Sequence, residues 1–202
     1  MRRVFLALIF CLSCMGVVLA AEKSLLLDDF QGVISGGPEG TVDFGAGNGS
    51  SVEVSAAADI ARTGKQSLKV AFEAVPGGYI YVARGFGLNA KNTAWSTKPE
   101  EINWKEYNVI SFYMYGSGSK AKVAFDLKDA GGEIWRFIAE DNSDGWKRII
   151  CPFQDFFARS DWQPDNADKN AVLDFPLKSY QFEPLPEAKG KFYFSAVELS
   201  VQ

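Results

Sequence analysis

Histidine is absent from all 202 residues. That excludes Ser-His-Asp triads, Cys-His dyads and His-ligated zinc, and it removes the commonest general base. Cysteine is scarce: Cys11 and Cys14 lie in an apolar N-terminal run, and only Cys151 follows it. A chain that has shed that run can form no intramolecular disulfide. Cys151 stands in Ile149-Ile150-Cys151-Pro152-Phe153, an apolar strand end, and reads as a small buried hydrophobe rather than a reactive thiol. There is no run of Lys or Arg, and the formal charge is −4. Nucleic-acid binders carry a basic patch or stripe, so no nucleic-acid partner is expected. No stretch keeps a helical period. After residue 21 none is apolar for the about 20 residues a membrane span needs.

The N-terminus has the layout of a secretory signal. Arg2 and Arg3 open it, an apolar run from Val4 to Ala20 follows, and Leu19-Ala20-Ala21 ends it before Glu22 and Lys23. Basic start, apolar middle and small-residue end predict cleavage after Ala20 or Ala21 and a periplasmic or secreted product. Residues 22–202 then suit one domain.

The rest reads as short strands between turn residues. Val123, Phe125 and Leu127 alternate with Ala124, Asp126 and Lys128; Leu68, Val70 and Phe72 alternate likewise. Period-two alternation bounded by Gly, Pro and Asn predicts strands near 25–30, 51–55, 67–72, 79–84, 107–115, 122–128, 133–140, 146–151 and 191–201, with a short one around Val42 and Phe44. Gly116-Ser117-Gly118-Ser119 and Asp129-Ala130-Gly131-Gly132 have turn composition. Pro152 to Phe157 predicts a single helical turn. Gly45 to Ser50 predicts a loop, and 159–186 a long irregular segment holding short apolar pieces such as Tyr180-Gln181-Phe182. The fold class is all-β, a sandwich or barrel.

Several segments, in order, resemble a known family: Leu27-Asp28-Asp29-Phe30, Gly64 to Val70, Trp104 to Phe112 running into Tyr115-Gly116-Ser117-Gly118, Leu127 to Gly132 with Trp135, Gly145 to Phe156, Arg159 to Pro164, and Phe192 to Leu199. The order is similar to galactose-binding-like β-jelly rolls, nearest to the family-11 carbohydrate-binding module and its relative, the complex I intermediate-associated protein 30 domain. The resemblance implies a jelly-roll β-sandwich, a glycan-binding face and often a structural calcium. Relatives commonly end on an aromatic, an aliphatic and two aspartates, one of which ligates calcium. Ser195 and Ala196 stand at those places here. Calcium takes six to eight oxygens with several carboxylates. The expectation is therefore no cofactor, a structural calcium staying open only through Asp28, Asp29 and carbonyls near Thr63 and Gly64.

Sugars are held by flat aromatics and a few placed polar groups. Alternation puts Ile110, Phe112 and Met114 toward a core and Tyr113 and Tyr115 away from it. On the following strands Asp126, Lys128 and Arg136 also face away from the core. Were these strands adjacent, Tyr113, Tyr115, Asp126, Lys128 and Arg136 would form one glycan platform, joined by Tyr81 if the Tyr79/Tyr81 face points the same way. A solvated sheet face explains the same residues without a ligand. Trp162, beside Arg159 and Asp161, is a stacking candidate on a loop. The expected function is a non-catalytic, free-standing module that recognises a polysaccharide or oligosaccharide. The alternative is a protein-interaction domain of the complex I-associated type with a protein partner.

Overall fold

A computed structural model describes residues 23–202. The expected signal segment, 1–21, lies outside the described residues. Twelve strands form two six-stranded antiparallel sheets. The strands are β1 (Ser24–Asp28), β2 (Asp43–Gly47), β3 (Ser51–Ala57), β4 (Ser67–Ala74), β5 (Tyr79–Gly85), β6 (Val109–Ser117), β7 (Lys122–Lys128), β8 (Ile134–Glu140), β9 (Asp144–Pro152), β10 (Phe157–Ala158), β11 (Ser179–Pro184) and β12 (Ala188–Ser200). The first sheet runs β3-β4-β12-β6-β9, with β1 also pairing β12; the second runs β10-β8-β7-β11-β5-β2. The expected jelly-roll sandwich is what the chain forms, and a 3-10 turn over Phe153–Asp155 matches the helical turn expected there.

Aromatic alternation joins the layers. Phe112 and Phe194 come from the first sheet, Phe125 and Phe182 from the second, and all four are fully buried. Phe182 stacks on Phe194 at 3.8 Å between centroids, and Phe112 meets Phe125 at 4.7 Å. Burying each ring contributes about 1.5–3 kcal/mol, and ring pairing adds about 0.5–1.5 kcal/mol. Ile110 and Met114 lie on the same inner face, as alternation requires. Cys151 is wholly buried, and burial raises its thiol pKa well above the ordinary range.

Two expectations need correction. The 159–186 segment contains β11, which lies between β7 and β5 in the middle of the second sheet. Its three-residue apolar alternation was the visible signal, hidden by the Pro and Asp on either side. The loop expected over Gly45–Ser50 is strand through Gly47, and only then a turn at Asn48-Gly49. Gly116–Ser119 turns the chain as expected, and the turn carries it from β6 in one sheet to β7 in the other.

Candidate functional site

The outer face of the second sheet forms a groove of about 660 Å³. Register sets its floor. Phe157 on β10 stands opposite Arg136 on β8, Arg136 opposite Asp126 on β7, Asp126 opposite Gln181 on β11, Gln181 opposite Ala83 on β5, and Ala83 opposite Asp43 on β2. Because successive side chains alternate faces, these residues all project to the groove side.

The centre of the floor is an ionic network. Arg136 donates in bidentate fashion to Asp126, Nε to Oδ1 at 2.8 Å and Nη2 to Oδ2 at 2.7 Å. Its Nη2 also reaches Glu183 Oε2 at 2.8 Å. Arg159, arriving from the loop after β10, donates Nη1 to the same Glu183 oxygen at 2.8 Å and grips Asp161 with Nε and Nη2 at 2.8 and 2.9 Å. Gln181 donates to Asp126 at 3.1 Å. Asp126, Arg136 and Glu183 are all buried. Burial disfavours the charge on Arg136, but the bonds to Asp126 and the field of Glu183 outweigh it, so its pKa rises. Burial, joined by the fields of Asp126 and Asp161, raises the Glu183 pKa by more than the two arginines lower it.

Two tyrosines make one wall. Tyr79 is 49 % exposed and Tyr81 is half-buried. They share a face two residues apart on β5, which spaces them by about 6.5 Å. Their rings lie over β2 because β2 presents glycine there. A Cβ added at Gly47 would fall 2.5 Å from the Tyr79 ring, and one at Gly45 would fall 2.9 Å from the Tyr81 ring. The strand reading Asp-Phe-Gly-Ala-Gly thus leaves room for both rings to pack closely against it. Burial, then Asp43 and Tyr79, raises the Tyr81 pKa, which keeps that phenol protonated and able to donate.

The facing wall is the 159–164 loop. Gln163 fastens it to the edge of β8, accepting from the Ile134 N–H at 2.7 Å and donating to the Ile134 carbonyl at 2.9 Å. Trp162 then stands 56 % exposed over the groove, with the Arg159 guanidinium 5.8 Å from its ring centre. At the β2 end Asp43 accepts from the Asn89 N–H at 2.7 Å.

Of the six residues expected to form a platform, Tyr81, Asp126 and Lys128 line this groove and Arg136 lies in its floor. Tyr113 and Tyr115 do not share it. They project from β6 on the outer face of the other sheet, so the required adjacency of β6 and β7 is not met. There Tyr115 packs edge-on between Trp146 and Tyr193, at 5.6 and 5.8 Å, and the Arg62 guanidinium covers the Tyr113 ring at 3.3 Å. Sequence reasoning missed Gln181 and Glu183 because β11 was missed with them.

No group of three or more His, Cys, Asp or Glu side chains arranged to hold a metal occurs among the described residues. Asp28 accepts from Arg84 Nε at 2.6 Å and from the Tyr180 hydroxyl at 2.9 Å. Ser195 and Ala196 bring no carboxylate, and both are buried. These residues do not fit the calcium implied by the family resemblance.

The profile of the carbohydrate binding domain (family 11) matches residues 17–202. Endoglucanase H of Acetivibrio thermocellus is 26 % identical over 185 residues, covering 86 % of this chain and 18 % of that protein, so the chain spans under a fifth of that relative. A family 11 carbohydrate-binding module from Clostridium thermocellum, solved with a β-1,3-1,4-mixed-linked tetrasaccharide, superposes with a TM-score of 0.66 at 23 % identity, over 90 % of this chain and 97 % of that one. A family 30 module of a cellulosomal cellulase of the same organism superposes with a TM-score of 0.56 at 11 % identity, over 89 % and 98 %.

Proposed function

Since the chain belongs to the family 11 carbohydrate-binding domains and is a non-catalytic module, we propose that its groove binds a neutral β-glucan chain. The carrying observation is the pair of tyrosines packed against glycines, facing an exposed tryptophan across a floor of hydrogen-bonding carboxylates, amide and guanidinium. Flat apolar faces pack on sugar rings, while fixed polar groups match hydroxyls. The floor carboxylates are salt-bridged in pairs and triples, so they hydrogen-bond rather than carry out hydrolysis. A uronic acid polymer would need several unpaired cations along the floor, whereas both floor arginines are matched with acids and Lys128 alone has no carboxylate partner among the described residues. A mixed-linked β-glucan is the first probe because the family 11 module from C. thermocellum was solved with such an oligosaccharide.

Affinity electrophoresis in soluble mixed-linked β-glucan, with xylan, mannan and pectin as controls, tests this. The expected result is retardation in the β-glucan that Tyr81→Ala clearly weakens. No retardation of a folded wild-type chain in any neutral glycan would overturn the reading.

The basic, apolar and small-residue series over 1–21 supports export, and no helix among the described residues is long and apolar enough to cross a membrane. N-terminal sequencing of the chain recovered outside the cytoplasm is expected to start at Ala21 or Glu22. An intact Met1 would overturn export by this route.

A further inference from the structure

We propose that two glutamine side-chain amides do in this fold what a divalent cation would do, so that the sandwich needs no calcium. The seam joins the segment after β1 to the loop before β4. Five backbone carbonyls gather around the two amide nitrogens across it. Gln31 Nε2 donates its two hydrogens to the carbonyls of Gln66 at 2.8 Å and Asp29 at 2.9 Å, with the Thr63 carbonyl a longer, shared contact at 3.4 Å, while Gln66 Nε2 donates to those of Gly32 at 2.7 Å and Phe30 at 2.8 Å. Converging carbonyl oxygens repel one another unless a positive centre lies between them. Calcium is such a centre, taking six to eight oxygens. An amide NH₂ is another, with two donors and no need of a carboxylate to balance charge.

The orientation of Gln31 is fixed by its other end. Its Oε1 accepts from the Lys65 N–H at 2.6 Å, which directs the NH₂ group toward the carbonyls. The backbone is shaped for this approach. Gly64 has φ +71°, and a Cβ there would lie 2.3 Å from Gln31 Oε1. Phe30 has φ 57°, which swings the chain after β1 toward the loop. The carboxylates that could balance a cation are engaged elsewhere or lacking. Asp28 bonds Arg84 and Tyr180, Asp29 accepts from the Gln31 N–H at 2.9 Å, and Ser195 and Ala196 have none to offer. None of the seam residues lines the groove, so this inference stands whether or not the groove binds β-glucan.

Thermal unfolding followed by circular dichroism tests it on the purified chain, in excess chelator and in millimolar calcium. Wild type is expected to unfold at the same temperature in both. Gln31→Ala and Gln66→Ala are each expected to unfold roughly 3–8 °C lower, equally in both buffers. Gln31→Glu places a carboxylate among the carbonyls and is expected to lose stability in chelator and regain it with calcium. A wild-type midpoint that falls on chelation would overturn the proposal without reference to any variant. Unchanged midpoints for both alanine variants, or a Gln31→Glu chain indifferent to calcium, would also overturn it.

Discussion

Arg159 donates to Glu183 at 2.8 Å and so ties the Trp162 loop to the middle of the second sheet. Glu183 is buried and its pKa is raised, chiefly by that burial. Arg159→Ala frees one anchor of the wall while leaving Arg136 to hold Glu183. We expect β-glucan affinity about tenfold weaker, or about 1.4 kcal/mol, measured by isothermal titration. A loss of binding below tenfold in a well-folded variant would separate the wall from the floor.

The same acid gives a pH dependence with a defined sign. Its folded pKa lies above the ordinary glutamate value, so Glu183 favours folding most at pH below that ordinary value. That contribution declines as pH rises through the folded pKa. Binding runs the other way, because only ionised Glu183 holds Arg159 with a full charge. β-glucan affinity is expected to fall on acidification before ordinary glutamates titrate, and this step is expected to vanish in Glu183→Gln. A profile for Glu183→Gln that overlays wild type would assign the step to another group.

Stacking on β5 predicts a contrast between the two sheets. Tyr79→Ala and Tyr81→Ala are each expected to weaken binding by about 1–2 kcal/mol, roughly 5- to 30-fold. Tyr113→Ala and Tyr115→Ala are expected to leave it unchanged, since both lie on the opposite sheet. Gly47→Ala probes the geometry without removing a ring. Its Cβ would meet the Tyr79 ring at 2.5 Å, so the ring must lift and affinity must drop. Equal losses from tyrosines on both faces would point to general destabilisation instead of a site.

Why alternation brings Tyr81, Asp126, Lys128 and Arg136 onto one sheet face, yet Tyr113 and Tyr115 stand on the other sheet, follows from what alternation encodes. Period two tells which residues share a face of one strand. It is silent on which strand lies alongside. Asp126 and Arg136 sit on β7 and β8, joined by a true hairpin, so reading neighbours from chain order was right. Tyr115 and Lys122 are separated by a stretch of equal turn-forming composition that instead crosses the sandwich. The crossing is hydrogen-bonded by Asp141, which lies 22 to 24 residues further along the chain, and nothing local to Gly116–Ser119 announces it. β11 was obscured for a related reason. Its pattern covers few residues, and its place as a central strand comes from the partners β5 and β7 on either side.

Cys151 offers a test of the core. It is wholly buried on β9, and burial raises its thiol pKa well above the ordinary range. The thiolate is the reactive form, so a chain comprising residues 22–202, whose one cysteine is Cys151, is expected to resist aromatic disulfide reagents at neutral pH when native and to react once per chain in denaturant. Rapid reaction of the native chain would show that the β6–β9 edge opens readily.

The crossing itself carries the last prediction. Asp141 is buried at the end of β8, and its carboxylate accepts from the N–H groups of Ser117, Gly118 and Ser119 at 3.1, 3.2 and 3.0 Å and from the Ser119 hydroxyl at 2.7 Å. Gly116 makes room for it, since a Cβ there would fall 1.8 Å from the carboxylate oxygen. Burial alone would raise the Asp141 pKa, but the Ser119 hydroxyl and the three backbone donors together bring it below the ordinary range. The stability it contributes is therefore present above the ordinary aspartate pKa and lost as pH falls through the lower, folded one. Asp141→Ala strands several donors at a buried turn, and each unmet donor costs about 1–3 kcal/mol. We expect an overall loss of about 2–4 kcal/mol by urea unfolding, since water can reach part of the exposed turn. Asp141→Asn keeps one acceptor and is expected to lose less, while removing the acid-side decline in stability. If Asp141→Ala unfolds at the wild-type urea midpoint, the crossing is held by the sheets it connects and not by this carboxylate.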